Sequence, residues 1–220
     1  AQGGGTGGGG GGHGGIGGSG AGGAGGSFYG VNSEPTMLGS GGGRGDEGPA
    51  TGHGGGAIQL RVGDTLSLDG RLSADGGNGS LNDVGGGAGG SLWVTTRRLE
   101  GDGIFLANGG NGTTYAGAGA GGRVAVYFSE QDFSGFAVSR AASGANRIGE
   151  AGTIGFFEGE NAKPHAHVYH NYTLTTDTQV AYASLNLHTG AAFQTEGGCA
   201  ITMGGDLRLA TGAVFTARAK

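Results

Sequence analysis

The densest set of side chains able to do chemistry is His165-Ala-His167-Val-Tyr-His170. Three imidazoles at this spacing could hold zinc or copper. In a strand His165 and His167 point to one face, and His170 joins them only if the chain turns. The plainer alternative is a polar strand or loop leading into the next element. A second candidate is DGGNGSLND (75–83), which is similar to the glycine–aspartate nonapeptide of calcium-binding β-rolls, although it does not iterate. Oxygens of Asp75, Asn78 and Asp83 could hold Ca2+ there. Equally, the segment is a turn that uses Asn and Asp for positive φ. Glu158 and Glu160 in FFEGEN, with Asp132, are the carboxylates closest to the pair that a β-helix hydrolase or lyase needs. Both glutamates lie in what reads as a turn, where carboxylates are normally solvated.

Other signals are weaker. Arg44-Gly45-Asp46 spells an integrin-type tripeptide, which arises easily by chance in so glycine-rich a chain. Phe28, Tyr29, Trp93, Tyr115 and Tyr127 could form a carbohydrate-binding platform, or could cap the ends of a thin core. The sequons at Asn78, Asn111 and Asn171 are potential glycosylation sites. A G-x-x-x-x-G-K-[ST] phosphate loop is absent, since the only lysines are Lys163 and Lys220. A nucleophile elbow for Ser/His/Asp hydrolysis is absent as well. No catalytic residue is assigned and no cofactor is required.

These residues sit in a chain dominated by glycine, which accounts for 60 of 220 residues against roughly 7% in ordinary proteins. About half of the glycines fall in residues 1–56. Within that tract His13, Ile16 and Ser19 are three apart, and after one slip so are Ala21, Ala24 and Ser27. A left-handed polyproline-II helix has three residues per turn. A G-G-X repeat in that conformation carries its side chains on one edge and leaves two edges bare for close backbone contact. The alternative is a flexible linker, which the composition alone would suggest.

Charged residues are 13% of the chain and the net charge is −5, so the basic footprint of a nucleic-acid binder is missing. No apolar run reaches the ~18 residues that suggest a membrane span. Cys199 is the single cysteine, which excludes an intramolecular disulfide. Ala1-Gln2 reads as the new end left by signal cleavage, or as an arbitrary boundary. Together with the sequons this gives the expectation of an extracellular or cell-surface protein.

Two internal repeats follow the glycine tract. GGGAIQLRVGDTLSLDGRLSADGGNG and AGGSLWVTTRRLEGDGIFLANGGNG align Ala57-Ile58 with Ser91-Leu92 and ADGGNG (74–79) with ANGGNG (107–112). A degenerate third copy starts with Arg123 in the Ser91 position, and another apolar strand opens at Thr153. Each unit reads as strand, turn, strand and glycine-rich return, with Gly-Gly-Asn-Gly supplying positive φ at the corners. The returns at 85–90 and 117–122 are expected to lie beside the N-terminal tract. The second repeat places LNLHTGAAF from Leu185 over LRLATGAVF from Leu207, a period suited to the coils of a parallel β-helix. Leu185, Leu187, Ala191 and Phe193, then Leu207, Leu209, Ala213 and Phe215, are the expected interior positions.

The fold class predicted is all-β: a polyglycine layer on short strands, continuing into a β-solenoid. The organisation expected is residues 1–56 as the glycine tract, 57–158 as the repeat region packed with it, and 159–220 as β-helix coils. Residues 9–157 also resemble a glycine-rich module of large secreted or surface-anchored proteins. The motifs that carry the resemblance are GGGGHGG, FYG, LGSGGG, GGGAIQL, the two A-[DN]-GGNG segments, GGRVAVYF and AGTI. It implies a structural or adhesive role outside the cell, with no catalytic residues. More loosely, the glycine tract resembles the glycine-helix bundles of phage tail adhesins and of a glycine-rich antifreeze protein. The role expected is a non-enzymatic filament subunit or adhesin module that self-associates, with a glycan-binding adhesin or a carbohydrate-active β-helix enzyme as alternatives. Neither nucleic acid nor membrane insertion is expected.

Overall fold

A computed structural model describes residues 7–46, 52–80, 83–159, 163–175 and 179–218. The protein is all-β, and among the described residues its one helix is a single 3-10 turn, Gly135–Ala137. The strands are β1 (Ala57–Ser67), β2 (Arg71–Ser73), β3 (Ser91–Gly101), β4 (Ile104–Leu106), β5 (Arg123–Phe128), β6 (Glu130–Phe133) and β7 (Thr153–Glu158). They are followed by β8 (His165–Val168), β9 (Asn171–Leu174), β10 (Gln179–Tyr182), β11 (Ser184–Leu187), β12 (Ala192–Glu196), β13 (Ala200–Met203), β14 (Leu207–Leu209) and β15 (Val214–Arg218). One sheet runs in the order β1-β3-β5-β7-β8-β11-β14, with β6 also paired to β3. The smaller sheets are β2-β4, β10-β13 and β15-β12-β9.

The sequence repeats are the strand register. Ala57 lies opposite Ser91, Ser91 opposite Arg123, and Arg123 opposite Thr153, all in parallel pairs. In the C-terminal part Leu185 lies opposite Leu207 and Phe193 opposite Phe215, again in parallel. The strand direction reverses once within the main sheet, where β7 and β8 pair antiparallel. Strands β5 and β7 have both faces covered, as expected for the centre of a parallel arrangement. Val124, Val126, Ile154 and Phe156 face one core with Leu92, Phe105 and Phe136, whereas Tyr127 and Phe157 face a second core with Tyr172, Leu185 and Phe193.

Between strands the glycine segments bond to one another through their backbones. The direction of the N–H groups of residues 85–90 repeats every third residue. Gly85 and Ala88 donate to Gly43 and Ser40, Gly86 and Gly89 donate to Gly117 and Ala120, and Gly87 and Gly90 donate to Gly77 and Ala74. Carbonyls of the same segment accept from Gly11, Gly52, Gly55 and Gly110. Residues 117–122 repeat the pattern, donating in turn to Gly8, Arg147, Gly110, Gly11, Glu150 and Ala107. The returns thus lie beside the N-terminal tract. The three side chains expected on one edge differ in burial: His13 is fully buried, while Ile16 and Ser19 are exposed.

The Gly-Gly-Asn-Gly segments do not turn. Positive φ occurs at Gly30, Gly101, Gly159, Gly190, Gly197 and Gly212, and at Asn146 and Arg147, but not in 76–79 or 109–112. Their asparagines act as rungs between repeats. The Oδ1 of Asn78 accepts from the N–H of Asn111 at 2.8 Å, and the Oδ1 of Asn111 accepts from the N–H of Ala145 at 2.7 Å. A parallel ladder runs from Asp75 Oδ1 to the N–H of Asn108 and from Asn108 Oδ1 to the N–H of Ala142.

Close backbone packing makes a sharp prediction. A Cβ on Gly87 would lie 2.0 Å from the carbonyl oxygen of His53, and one on Gly14 would lie 2.1 Å from that of Gly122. At Gly56 a Cβ meets nothing within 4 Å. Gly87→Val and Gly14→Val should each cost about 3 kcal/mol or more through overpacking. Ser19→Val and Gly56→Ala should stay within about 1 kcal/mol of the parent. Thermal melting of the four variants checks this, and similar losses at all four sites would contradict it.

Candidate functional site

Strand β8 alternates, with Ala166 and Val168 in the core and His165 and His167 on the outer face. The sequence triad is then parted. His170 follows a bend, and its Nε2 lies 3.0 Å from the carbonyl of Ala137, beside the Arg140 guanidinium. His165 Nδ1 contacts Ser184 Oγ at 2.8 Å. His167 meets a histidine that sequence spacing did not single out. Its Nδ1 lies 3.4 Å from Nε2 of His188, which immediately follows β11. The β8–β11 register and the bond from the His188 N–H to the Val168 carbonyl bring the two rings together. No sequence signal pointed to the pair: the β8–β11 register sets His167 opposite Asn186, and His188 lies two residues beyond.

Glu158, at the end of β7, completes a row. Its Oε2 is 3.5 Å from His167 Nε2, on the opposite side of that ring from His188. A carboxylate accepts, so His167 Nε2 carries a proton and Nδ1 is left as an acceptor for His188 Nε2–H. Tyr169 stacks on His188 with centroids 3.7 Å apart and planes 9° apart, and also stacks on Phe136 with centroids 5.5 Å apart. Burial lowers the pKa of His167 despite the opposing effect of Glu158, and burial with the nearby His167 lowers that of His188. Both shifts favour the neutral imidazole.

The remaining sequence candidates are scattered. Asp75 and Asn78 hold the backbone of the next repeat through their Oδ1 atoms, and Asp83 is buried beside the glycine segment. Among the described residues no group of three or more His, Cys, Asp or Glu side chains is placed to hold a metal ion. Of the carboxylates proposed for hydrolysis, Glu158 faces His167, Asp132 is exposed on β6, and Glu160 lies outside the described residues. Asn78 and Asn111 are exposed and Asn171 is half-buried. Arg44 and Asp46 are exposed. The aromatics form no common platform: Trp93 and Tyr127 pack on the second core, Trp93 under Arg61 and Tyr127 on Phe157, while Tyr29 lies against His13. A polar groove of about 200 Å³ is lined by Phe28, Glu150, Asn171, Gln194, Glu196 and Arg218, among others.

A second polar cluster, also missed from sequence, ties the glycine tract to the sheet. Arg123 is fully buried, with Nε donating to the Tyr29 carbonyl at 2.9 Å and Nη2 to the His13 carbonyl at 3.4 Å. Burial lowers its pKa to about 10, so it stays charged at neutral pH. The His13 Nδ1–H donates to the Gly89 carbonyl at 2.8 Å, while Nε2 is buried with no hydrogen-bond partner among the described residues. Compared with protein-family models, with curated proteins and with solved structures, the chain matches none.

Burial lowers the His13 pKa to about 4, helped by the Arg123 charge and opposed by the bond to Gly89. The unfolded chain, with a histidine pKa near 6.5, binds this proton first. Stability from His13 is therefore complete above about pH 6.5 and declines as pH falls towards 4, by up to about 3 kcal/mol. Urea unfolding at pH 7.5 and 4.5 should show the loss, and His13→Gln should reduce the difference between the two midpoints. A difference unchanged by the substitution would contradict the assignment.

Proposed function

We propose that the protein is a non-enzymatic structural protein of the extracellular space, acting as a filament subunit or as a module of a long surface protein or adhesin. In this proposal the glycine segments are polyglycine-II helices packed as a layer, and β8–β15 are coils of a parallel β-helix. The threefold repeat of N–H directions in residues 85–90 and 117–122 supports the first part. Parallel registers that coincide with the sequence repeats support the second. The extracellular setting rests on the sequons and on the resemblance to glycine-rich surface modules.

The observation that carries the structural role is the exposure of apolar side chains on the last described coil. Leu185, Leu187 and Phe193 are 0%, 2% and 0% exposed, whereas their counterparts one coil later, Leu207, Leu209 and Phe215, are 42%, 48% and 37% exposed. The rings of Tyr172, Phe193 and Phe215 form a stacked column with spacings of 5.4 and 5.2 Å, and Phe215 ends it. Strands β14 and β15 each have one paired edge and one open edge. Such edges accept a further strand, and repeat proteins stack in this way. Fully burying one such side chain is worth about 1.5–3 kcal/mol.

Sedimentation velocity across a concentration series, with negative-stain imaging, tests end-to-end association. Assemblies should grow with concentration and should shorten in Leu207→Glu and Phe215→Glu. A monodisperse monomer at the highest concentration removes the filament role. Glycan binding is the second proposal, supported by the amides, carboxylates and Phe28 of the polar groove rather than by Trp93. A glycan array on the parent and on Phe28→Ala tests it.

A further inference from the structure

We propose that His167 and His188 form a zinc-binding site, with His167 Nδ1 and His188 Nε2 as ligands and Glu158 as the carboxylate that orients His167. The site is independent of the assembly proposed above. Four features of the geometry support it.

The two nitrogens are 3.4 Å apart. Two Zn–N bonds of 2.0–2.1 Å at the tetrahedral angle place their nitrogens about 3.3 Å apart. Cis positions of a square-planar ion would require about 2.8 Å, so the spacing suits zinc better than copper(II). The pair is thus already near the ligand separation, and each ring tilts by about 35° from the present N–N line for both lone pairs to meet at one ion.

Glu158 lies against the far nitrogen of His167 at 3.5 Å. A zinc-bound histidine commonly donates its other N–H to a carboxylate, which fixes the tautomer and raises the basicity of the ligating nitrogen. The arrangement here sets that tautomer before any ion arrives. Ligation through Nε2 leaves the His188 proton on Nδ1.

Packing keeps the two rings side by side. His188 is stacked on Tyr169, and Tyr169 on Phe136. The His188 backbone is bonded to Val168. Access remains, because the side chains of His167 and Glu158 are 24% and 40% exposed. With two protein ligands, one fewer than an open catalytic zinc site has, the ion takes its other positions from water or from a donor on another molecule.

The test is calorimetric titration of the whole chain with zinc chloride at pH 7.5. One zinc should bind per chain. His188→Ala and His167→Ala should each weaken binding by at least tenfold, and Glu158→Gln by about tenfold. His170→Ala should leave it unchanged, which separates this site from the triad suggested by sequence. Nitrogen-15 spectra of the parent should show zinc-dependent shifts at His188 Nε2 and His167 Nδ1. Failure of the parent to bind zinc, equal affinity in His188→Ala, or shifts at the opposite ring nitrogens would overturn the proposal.

Discussion

Backbone lying directly on backbone is the constraint on which the remainder of the structure depends. At most positions in the glycine segments a Cβ would fall about 2 Å from a neighbouring carbonyl oxygen or carbon. No relaxation of a side chain can make that space, because the obstructing atoms belong to the main chain. Ordering so much glycine carries the largest backbone entropy cost of any residue. The opposing gain comes from hydrogen bonds worth a net ~0.5–1.5 kcal/mol each, made in three directions by residues 85–90 and 117–122, and from the strands that pack on them. Glycine here is a requirement of distance between chains, and only in a few places a requirement of φ.

The strand layer answers a different need. Each repeat closes its polar backbone only by lying on the next one, so the period of the sequence becomes the register of the sheet. Asn78 and Asn111 reinforce that register by bonding to the backbone of the following repeat at the same position. Where the glycine segments end, the sheet reverses direction between β7 and β8, and shorter coils continue from the reversed strand. Aromatic stacking takes over there from glycine packing, with the column from Tyr172 to Phe215 running along successive coils.

Buried polar groups sit at the seams between these parts. Arg123 and His13 join the first glycine segment to the main sheet, with main-chain carbonyls as acceptors in place of a carboxylate. The histidine row from Glu158 to His188 joins the end of β7 to the coils that follow. A charged or basic group at such a seam is held by elements far apart in sequence, and neither seam carries a local motif.

The sequence by itself determined the strand repeats, their register and the positions at which the glycine segments return. These follow from period and from residue size, both of which are local and additive along the chain. It also named Leu185, Leu187, Ala191 and Phe193 as interior, and these are buried, whereas Leu207, Leu209 and Phe215, named with them, are exposed. Tertiary structure alone decided that Gly-Gly-Asn-Gly runs straight, because the asparagine oxygen finds a backbone donor one repeat away and needs no turn. It alone turned His13 inward and parted His170 from His165 and His167. The partner of His167 lies one coil further on, and the distance between two side chains on different coils depends on the turns that connect them. Spacing within one strand carries no information about those turns.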